Sequence, residues 1–472
     1  MLGLFGTLNL GARSLQTQQT GVEVAGQNLA NINNTAYARQ RVDIQTSPAI
    51  SSYYGPEGTG ANVVAITQLR NSIVDGQIQN ENSVGSYWQS QQSALQYAQA
   101  DLGEYINLQT SSTSSTSNDT TSGLAGDLSD LFNAFQSVAT APSSLTERQL
   151  LLNKAQTLAD RLNQTSAKLT SLGQDLNTSM NNDVSSANSL LSDIAKLNDQ
   201  IVNSEIPQGG VANDLRDLRQ QKLEQLSQLV NIQTSTAANG TVSVSIGGTT
   251  MVSDRKVLDT LQTYDAGGGQ MLVRAATSGT PLTLSGGSIR GTIDVRDGAL
   301  KTLSSSLDTL AGQLIAQVNT LHQAGYSLSG TTGADFFTGT DAATIQVNSA
   351  LTGDPSLIQA AGTAGASGDN SVALALAQLA DQPISGLGNQ TFSSAYSTIV
   401  SQLGNNLSTA NQQLADHDAV SSMLSKQRDS VSGVSVDEEM TNLMQFQKAY
   451  AASAKLVTTV AEMLDTILSM KT

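Results

Sequence analysis

Apolar residues recur every seventh position at both ends of the chain. Near the start, Leu8, Leu15, Val22 and Leu29 form one row, with Leu4, Ala25 and Ile32 on the neighbouring seam. This spacing predicts a coil-forming helix from Leu4 to about Ile32. The polar run Asn31-Ile32-Asn33-Asn34 ends it. Near the other end, Leu443, Tyr450, Val457 and Leu464 form one row, and Phe446, Val460 and Ile467 the other, with Ser453 its polar member. Ser435 and Glu438 read as a capping box, and Asp437 and Glu439 put negative charge at the electropositive helix start. Two such helices at opposite ends predict that the ends pack together.

Between them lie further periodic stretches. Ser144 and Glu147 form a second capping box, followed by Leu151, Ala155, Leu158, Leu162, Leu169, Leu172 and Leu176. The stripe continues through Ala187, Leu190, Ile194, Leu197 and Ile201, predicting one helix of about 85 Å if unbroken. That length exceeds an ordinary globular helix and predicts a rod-like bundle. Leu303 to Val318 and Tyr396 to Leu424 mark two more helices. Strand-like alternation is confined to residues 233–290, as in Thr241-Val-Ser-Val-Ser-Ile246, with turns at Gly247-Gly248 and Gly267-Gly268-Gly269. The Ser/Thr run from Thr110 to Gly123 reads as a linker.

The predicted fold is therefore mainly α with a β insert: a nested, elongated, multidomain chain. Residues 1–50 with 430–472 form a terminal coiled coil. Residues 51–232, 288–325 and 371–429 form a helical-bundle shaft. Residues 233–287 are an inserted β domain, and 326–370 a small β or irregular insert.

Composition narrows the function. Only 13% of residues are charged and 4% aromatic, leaving a polar, weakly charged surface that can pack against copies of itself. The net charge of −16 is uneven: residues 1–100 hold five acids and four bases, residues 301–400 six acids and one base. With no basic stripe, the chain is not expected to bind nucleic acid or anionic lipid. No apolar run approaches the ~18–20 residues of a membrane span, so membrane insertion is not expected. The N-terminal Met1-Leu-Gly-Leu-Phe-Gly has no basic n-region and does not read as a Sec-type signal peptide.

Candidate chemistry is sparse. Cysteine is absent and there are two histidines, His322 and His417. Disulfides, thiolate metal sites and Ser/His/Asp or Cys/His catalysis are not expected, and neither is any cofactor. His322 precedes Gly325 at a helix end and reads as a structural residue; His417 lies on the Leu403–Ala410–Leu424 row and reads as an interface residue. The triplet Asp437-Glu438-Glu439 reads as helix-start electrostatics, because consecutive helical residues do not converge on one face. Carboxylate pairing for glycoside cleavage depends on spatial separation, and no pair is singled out by sequence.

Two segments resemble the terminal motifs of flagellar rod, hook and hook-associated proteins. One is Asn28-Leu29-Ala30-Asn31-Ile32-Asn33-Asn34-Thr35-Ala36-Tyr37-Ala38-Arg39-Gln40. The other is Gly433-Val434-Ser435-Val436-Asp437-Glu438-Glu439 with Asn442 to Ala454. A third group selects within them: Asn213-Asp214-Leu215-Arg216-Asp217-Leu218-Arg219, then Arg296-Asp297, Asn319 to Gly325, Asp335-Phe336-Phe337 and Gly368-Asp369-Asn370. Their order is similar to that of the hook-associated proteins of the hook–filament junction, the FlgK family. Thr35-Ala36 stand where that family has Pro-Gly, and the chain looks short for it, implying a reduced outer domain.

The resemblance implies a non-enzymatic junction subunit of the bacterial flagellum, exported by the flagellar type III apparatus and built into a homo-oligomer in the axis. It implies hook protein and a second hook-associated junction protein as neighbours, and a cytoplasmic export chaperone. Two apolar seams on one helix exceed what a single partner covers, so neighbours are expected to complete the packing. Leu8, Leu15, Val22, Leu29, Ile32, Leu443, Phe446, Tyr450, Val457, Val460, Leu464 and Ile467 are the expected assembly positions. Asn28, Asn31, Asn33, Tyr37, Arg39, Gln40, Asp437, Glu438 and Glu439 are the expected motif residues, with Arg39 as the polar contact. Rival readings are a hook or distal rod protein, an adhesin, and a peptidoglycan hydrolase.

Overall fold

Residues 3–53, 55–103, 123–208 and 210–470 are described by the computed structural model of the protein. Helix α1 (Leu4–Ala30) leads into a long antiparallel hairpin of β1 (Gln40–Thr46) and β4 (Ala61–Gln68), whose tip carries β2 (Ile50–Ser52) and β3 (Gly55–Glu57). Helix α2 (Ser72–Leu102) follows; the Asn71 side chain caps it by accepting from the Ile73 N–H. Neither the hairpin nor α2 is predicted by periodicity. The burial pattern of β4 is irregular, and Gln and Ser occupy much of α2.

Of the predicted linker, only Gly123 lies among the described residues; the rest, Thr110 to Ser122, falls outside them. Gly123 precedes α3 (Leu124–Thr140), which packs along α4 (Leu145–Gln208). Helix α4 has 64 residues, about 95 Å at 1.5 Å per residue. The Ser144 hydroxyl accepts from the Glu147 N–H at 3.3 Å, half of the predicted capping box. This one helix passes through two cores. Leu151, Leu158, Leu162 and Leu169 belong to the shaft core, and Met180, Ala187, Leu191 and Ile194 to a second core with the β module. No single globule can hold a helix of that length, so the chain is elongated.

Helix α5 (Asn213–Leu229) returns along α4. The module beyond it is a four-stranded antiparallel sheet of β5 (Gln233–Thr236), β6 (Val242–Ile246), β7 (Thr249–Ser253) and β8 (Lys256–Val257). It also has a hairpin of β9 (Leu261–Asp265) and β10 (Met271–Ala275). Val242, Val244 and Ile246 alternate inward as predicted for a half-buried strand. Asn198 of α4 pins the module, donating to Val242 O at 2.8 Å and accepting from Val242 N at 3.1 Å.

Helix α6 (Gly287–Asp294) runs through a π-helical turn (Val295–Leu300) into α7 (Lys301–Gln323). Residues 326–370 are mostly irregular, with a two-residue ladder of β11 (Phe337–Thr338) and β12 (Gln346–Val347), and a short α8 (Ser349–Gly353). Phe336, Phe337, Ile345 and Leu351 anchor this insert in the shaft core. Helix α9 (Ser371–Gln378) and α10 (Phe392–Ser432) complete the bundle, and α11 (Val436–Ser469) returns to α1. The observed fold is mainly α with inserted antiparallel sheets, as the sequence predicts.

Candidate assembly interface

Helices α1 and α11 lie antiparallel. Ser14 Oγ and Ser453 Oγ are 2.7 Å apart, and Asn28 Nδ2 donates to Glu439 Oε2 at 3.1 Å. Small residues make the approach possible. A Cβ added at Gly11 would stand 2.7 Å from Val457 Cγ2, and one at Gly21 would stand 2.6 Å from the Phe446 ring. The other side of α1 meets the β hairpin, where Thr17 Oγ1 donates to Ala61 O at 3.1 Å. The fully buried residues of α1 are accordingly Gly11, Thr17, Gly21, Val24, Ala25 and Asn28.

Of the predicted assembly rows, Phe446 and Val457 lie in this seam. Leu8, Leu15, Val22 and Leu29 are half-buried, and Ile32 is exposed. On α11, Val460 is buried, while Leu443, Phe446, Val457 and Leu464 are half-buried. Tyr450 is 42% exposed and Ile467 54%. Met440, Met444, Leu456 and Met463 extend the uncovered apolar face of α11, and Phe5 of α1 is 72% exposed. Burying a wholly exposed apolar side chain is worth about 1.5–3 kcal/mol, and each of these would gain the part of that still uncovered. Sequence periodicity finds the two helices but not their contact seam, because glycines carry no hydropathy signal.

Of the motif residues, Asn28, Tyr37, Arg39, Gln40 and Glu439 converge on one node. Asn28 uses all of its amide: Nδ2 donates to Gln40 O (2.9 Å) and Glu439, and Oδ1 accepts from Gln40 N (2.9 Å) and Tyr37 Oη (2.8 Å). Burial, and then the Asp214, Asp217 and Glu439 carboxylates, hold the Tyr37 phenol well above its ordinary range, so it stays a donor. Arg39 donates through Nε to Glu439 Oε1 at 2.7 Å and through Nη1 to Glu438 Oε2 at 2.6 Å. Gln40 reaches the shaft, donating from Nε2 to Asp214 Oδ1 at 3.2 Å. Asn31 Nδ2 donates to Gln27 O at the helix end; Asn33 and Asp437 are exposed. The turn containing Thr35-Ala36 is closed by Tyr37 N to Asn34 O at 3.0 Å and by Ala36 N to Asn34 Oδ1 at 3.1 Å.

One expectation is corrected here. Ser435 precedes α11 but its side chain caps nothing, and Glu438 turns to Arg39 instead of back to Ser435. A charge-assisted bond to a guanidinium is the stronger use of that carboxylate.

Away from the coil the polar groups are structural. His322 is buried, with Nδ1 2.7 Å from Ala334 O and Nε2 accepting from Gln359 N at 3.0 Å. Burial pushes its pKa down to about 4, so it is neutral. His417 Nδ1 lies 2.6 Å from Glu81 Oε1, between α10 and α2. Arg148, 1% exposed, donates to the carbonyls of Pro142 and Ile358 and ties α4 to the 326–370 insert. Among the described residues no three His, Asp or Glu side chains gather as a metal site, and no helix is long and apolar enough to cross a membrane.

Comparison with known proteins gives this architecture its family. A family model described as the helical domain of the flagellar hook-associated protein FlgK matches residues 110–337. A second, the C-terminal region of the flagellar basal body rod FlgEFG proteins, matches residues 426–470. "Flagellar hook-associated protein 1" of Bacillus subtilis is 29% identical, and the alignment covers 99% of each chain. Over nearly its whole length the chain is similar to the FlgK family of flagellar hook-associated proteins. Its relative of the same name in Escherichia coli is 22% identical over 98% of this chain and 99% of its own. The solved flagellar hook junction protein FlgK of Burkholderia pseudomallei has the same fold, with a TM-score of 0.63 at 18% identity. That match covers 76% of this chain and all of the other. Proteins of that family are structural components of the flagellum.

Proposed function

We propose that the chain joins hook to filament as a non-enzymatic subunit of the flagellar axis, polymerising through α1 and α11. The observation that carries this reading is the uncovered apolar surface of the terminal coil, from Phe5 of α1 through Met440, Met444, Leu456, Met463 and Ile467 of α11. A monomer gains nothing from that surface; a ring or helix of copies buries it. In this reading Leu8, Leu15, Val22 and Leu29 meet neighbouring copies, while the Gly11–Val457 and Gly21–Phe446 contacts hold each subunit's own pair.

The expected neighbours are hook protein below and the second hook-associated junction protein above. The subunit travels unfolded through the flagellar type III apparatus, with a cytoplasmic chaperone on the C-terminal helix, and stays in the flagellum after export. The shaft bears the load, and the β module covers the outside.

Deleting the gene tests this. The expected result is bare hooks with monomeric flagellin in the medium, reversed by the intact gene. Filaments of normal length on the deletion strain would overturn it.

A further inference from the structure

The terminal coil body, residues 3–69 with 433–470, is joined to the shaft by two short connections. One is Leu69 to Asn71, between β4 and α2; the other is Gly433 to Ser435, between α10 and α11. Connections this short fix distance but leave rotation free at their backbone dihedrals. An arginine stands at each. Arg70 lies within the first, and Arg428 in the last turns of α10 just before the second.

Both arginines are caught by the same helix. Arg70 donates to Asp217 Oδ1 from Nη2 at 2.6 Å and from Nε at 3.2 Å; Arg428 Nη1 donates to Glu224 Oε1 at 3.0 Å. Asp217 and Glu224 are seven residues apart on α5, so they share a face about 10 Å apart along the axis. Asp217 takes two more donors from the coil body, Ala38 N at 3.2 Å and Gln68 Nε2 at 2.8 Å. The partners are sheltered: side-chain exposure is 20% for Arg70, 8% for Asp217, 19% for Arg428 and 22% for Glu224. Arg70, Glu224 and Arg428 line one cavity of about 400 Å³ at this joint.

We propose that Asp217 and Glu224 are positioning residues that fix the direction of the terminal coil on the shaft, Asp217 by holding the first connection and the coil body, Glu224 by holding the end of α10 from which the second connection leaves. Asp217 acts there beside its α5 neighbours Asp214, which accepts from Gln40 Nε2 at 3.2 Å, and Asn213, whose Nδ2 donates to Ile66 O at 2.9 Å. Glu224 is the weaker, since it holds one arginine nitrogen and lacks the backbone donor that Asp217 receives. The inference stands independently of what the coil's outer face meets.

The full chain lacks cysteine, so spin labels can be placed at will. Val64→Cys on β4 and Gln228→Cys on α5, both exposed, report the joint. Gln16→Cys with Lys455→Cys reports the coil itself. The parent is expected to give one narrow Val64–Gln228 distance. Asp217→Asn with Glu224→Gln is expected to broaden it at least twofold, each single change less, with the thermal melting of the shaft unmoved. Arg70→Gln and Arg428→Gln reproduce the loss of each pin from the opposite partner, and stand in if Asp217→Asn does not fold. A double variant with the parent's distribution would overturn the proposal. Broadening of the Gln16–Lys455 distance alone, with Val64–Gln228 as narrow as in the parent, reports fraying of the coil and would likewise overturn the proposal.

Discussion

Gly21 of α1 stands against the ring of Phe446 so closely that a Cβ there would lie 2.6 Å from it. The two terminal helices therefore meet through an absence of side chain, and their register is set by where that absence falls. Gly21→Ala forces the ring or the helix to move, at about 1–3 kcal/mol for overpacking. The Ser14 and Ser453 hydroxyls, 2.7 Å apart, offer a reporter. Ser14→Cys with Ser453→Cys is expected to form a disulfide under mild oxidation, and adding Gly21→Ala is expected to slow it severalfold.

The Asn28 side chain serves helix, turn and partner helix together. Asn28→Ala leaves the Gln40 amide and a Glu439 oxygen short of partners, each orphan costing about 1–3 kcal/mol. Faster hydrogen exchange at Gln40, with α4 unaffected, is the expected result.

The inner seam and the outer row separate on substitution. Val457→Asp places a carboxylate against Gly11 and is expected to abolish both the Ser14–Ser453 cross-link and incorporation into the flagellum. Leu15→Asp, at a half-buried position, is expected to abolish incorporation while the cross-link still forms. Cross-linking of purified protein and immunoblotting of sheared flagella read the two outcomes.

His322 makes the shaft sensitive to acid. Its pKa is lowered from 6.5 to about 4 by burial, so below 6.5 the unfolded chain takes a proton that the folded chain refuses. The stabilisation is complete above pH 6.5 and is lost as pH falls towards 4. It amounts to about 3 kcal/mol. His322→Gln is expected to flatten that part of the pH–stability curve; denaturant melts at pH 7, 6, 5 and 4.5 measure it.

Long periodic helices were legible because their rows are built from Leu, Ile and Val. Leu151 to Ile201 marks α4, and Leu303 to Val318 marks α7. Helix α2 was not, since its buried positions include Asp75, Gln79 and Ser83, whose burial depends on Arg70 and on neighbouring helices. The β1–β4 hairpin was hidden likewise, as its inward residue Gln40 is polar and its side chain and backbone are held by Asp214 and Asn28. At the coil, sequence located both helices and the motif, but the Gly11 and Gly21 side of the inner seam has no apolar signature. Arg39 could be flagged as a polar contact, whereas Glu438 looked like a capping residue until its partner lay within 2.6 Å.

Hydrogen exchange of α1 and α11, in dilute monomer and again in the assembled flagellum, tests the central claim most directly. Fast exchange in the monomer, with protection appearing only on assembly, is the predicted result. Equal, strong protection of both helices in the two states would contradict it, because a coil already complete in isolation has no need of neighbours.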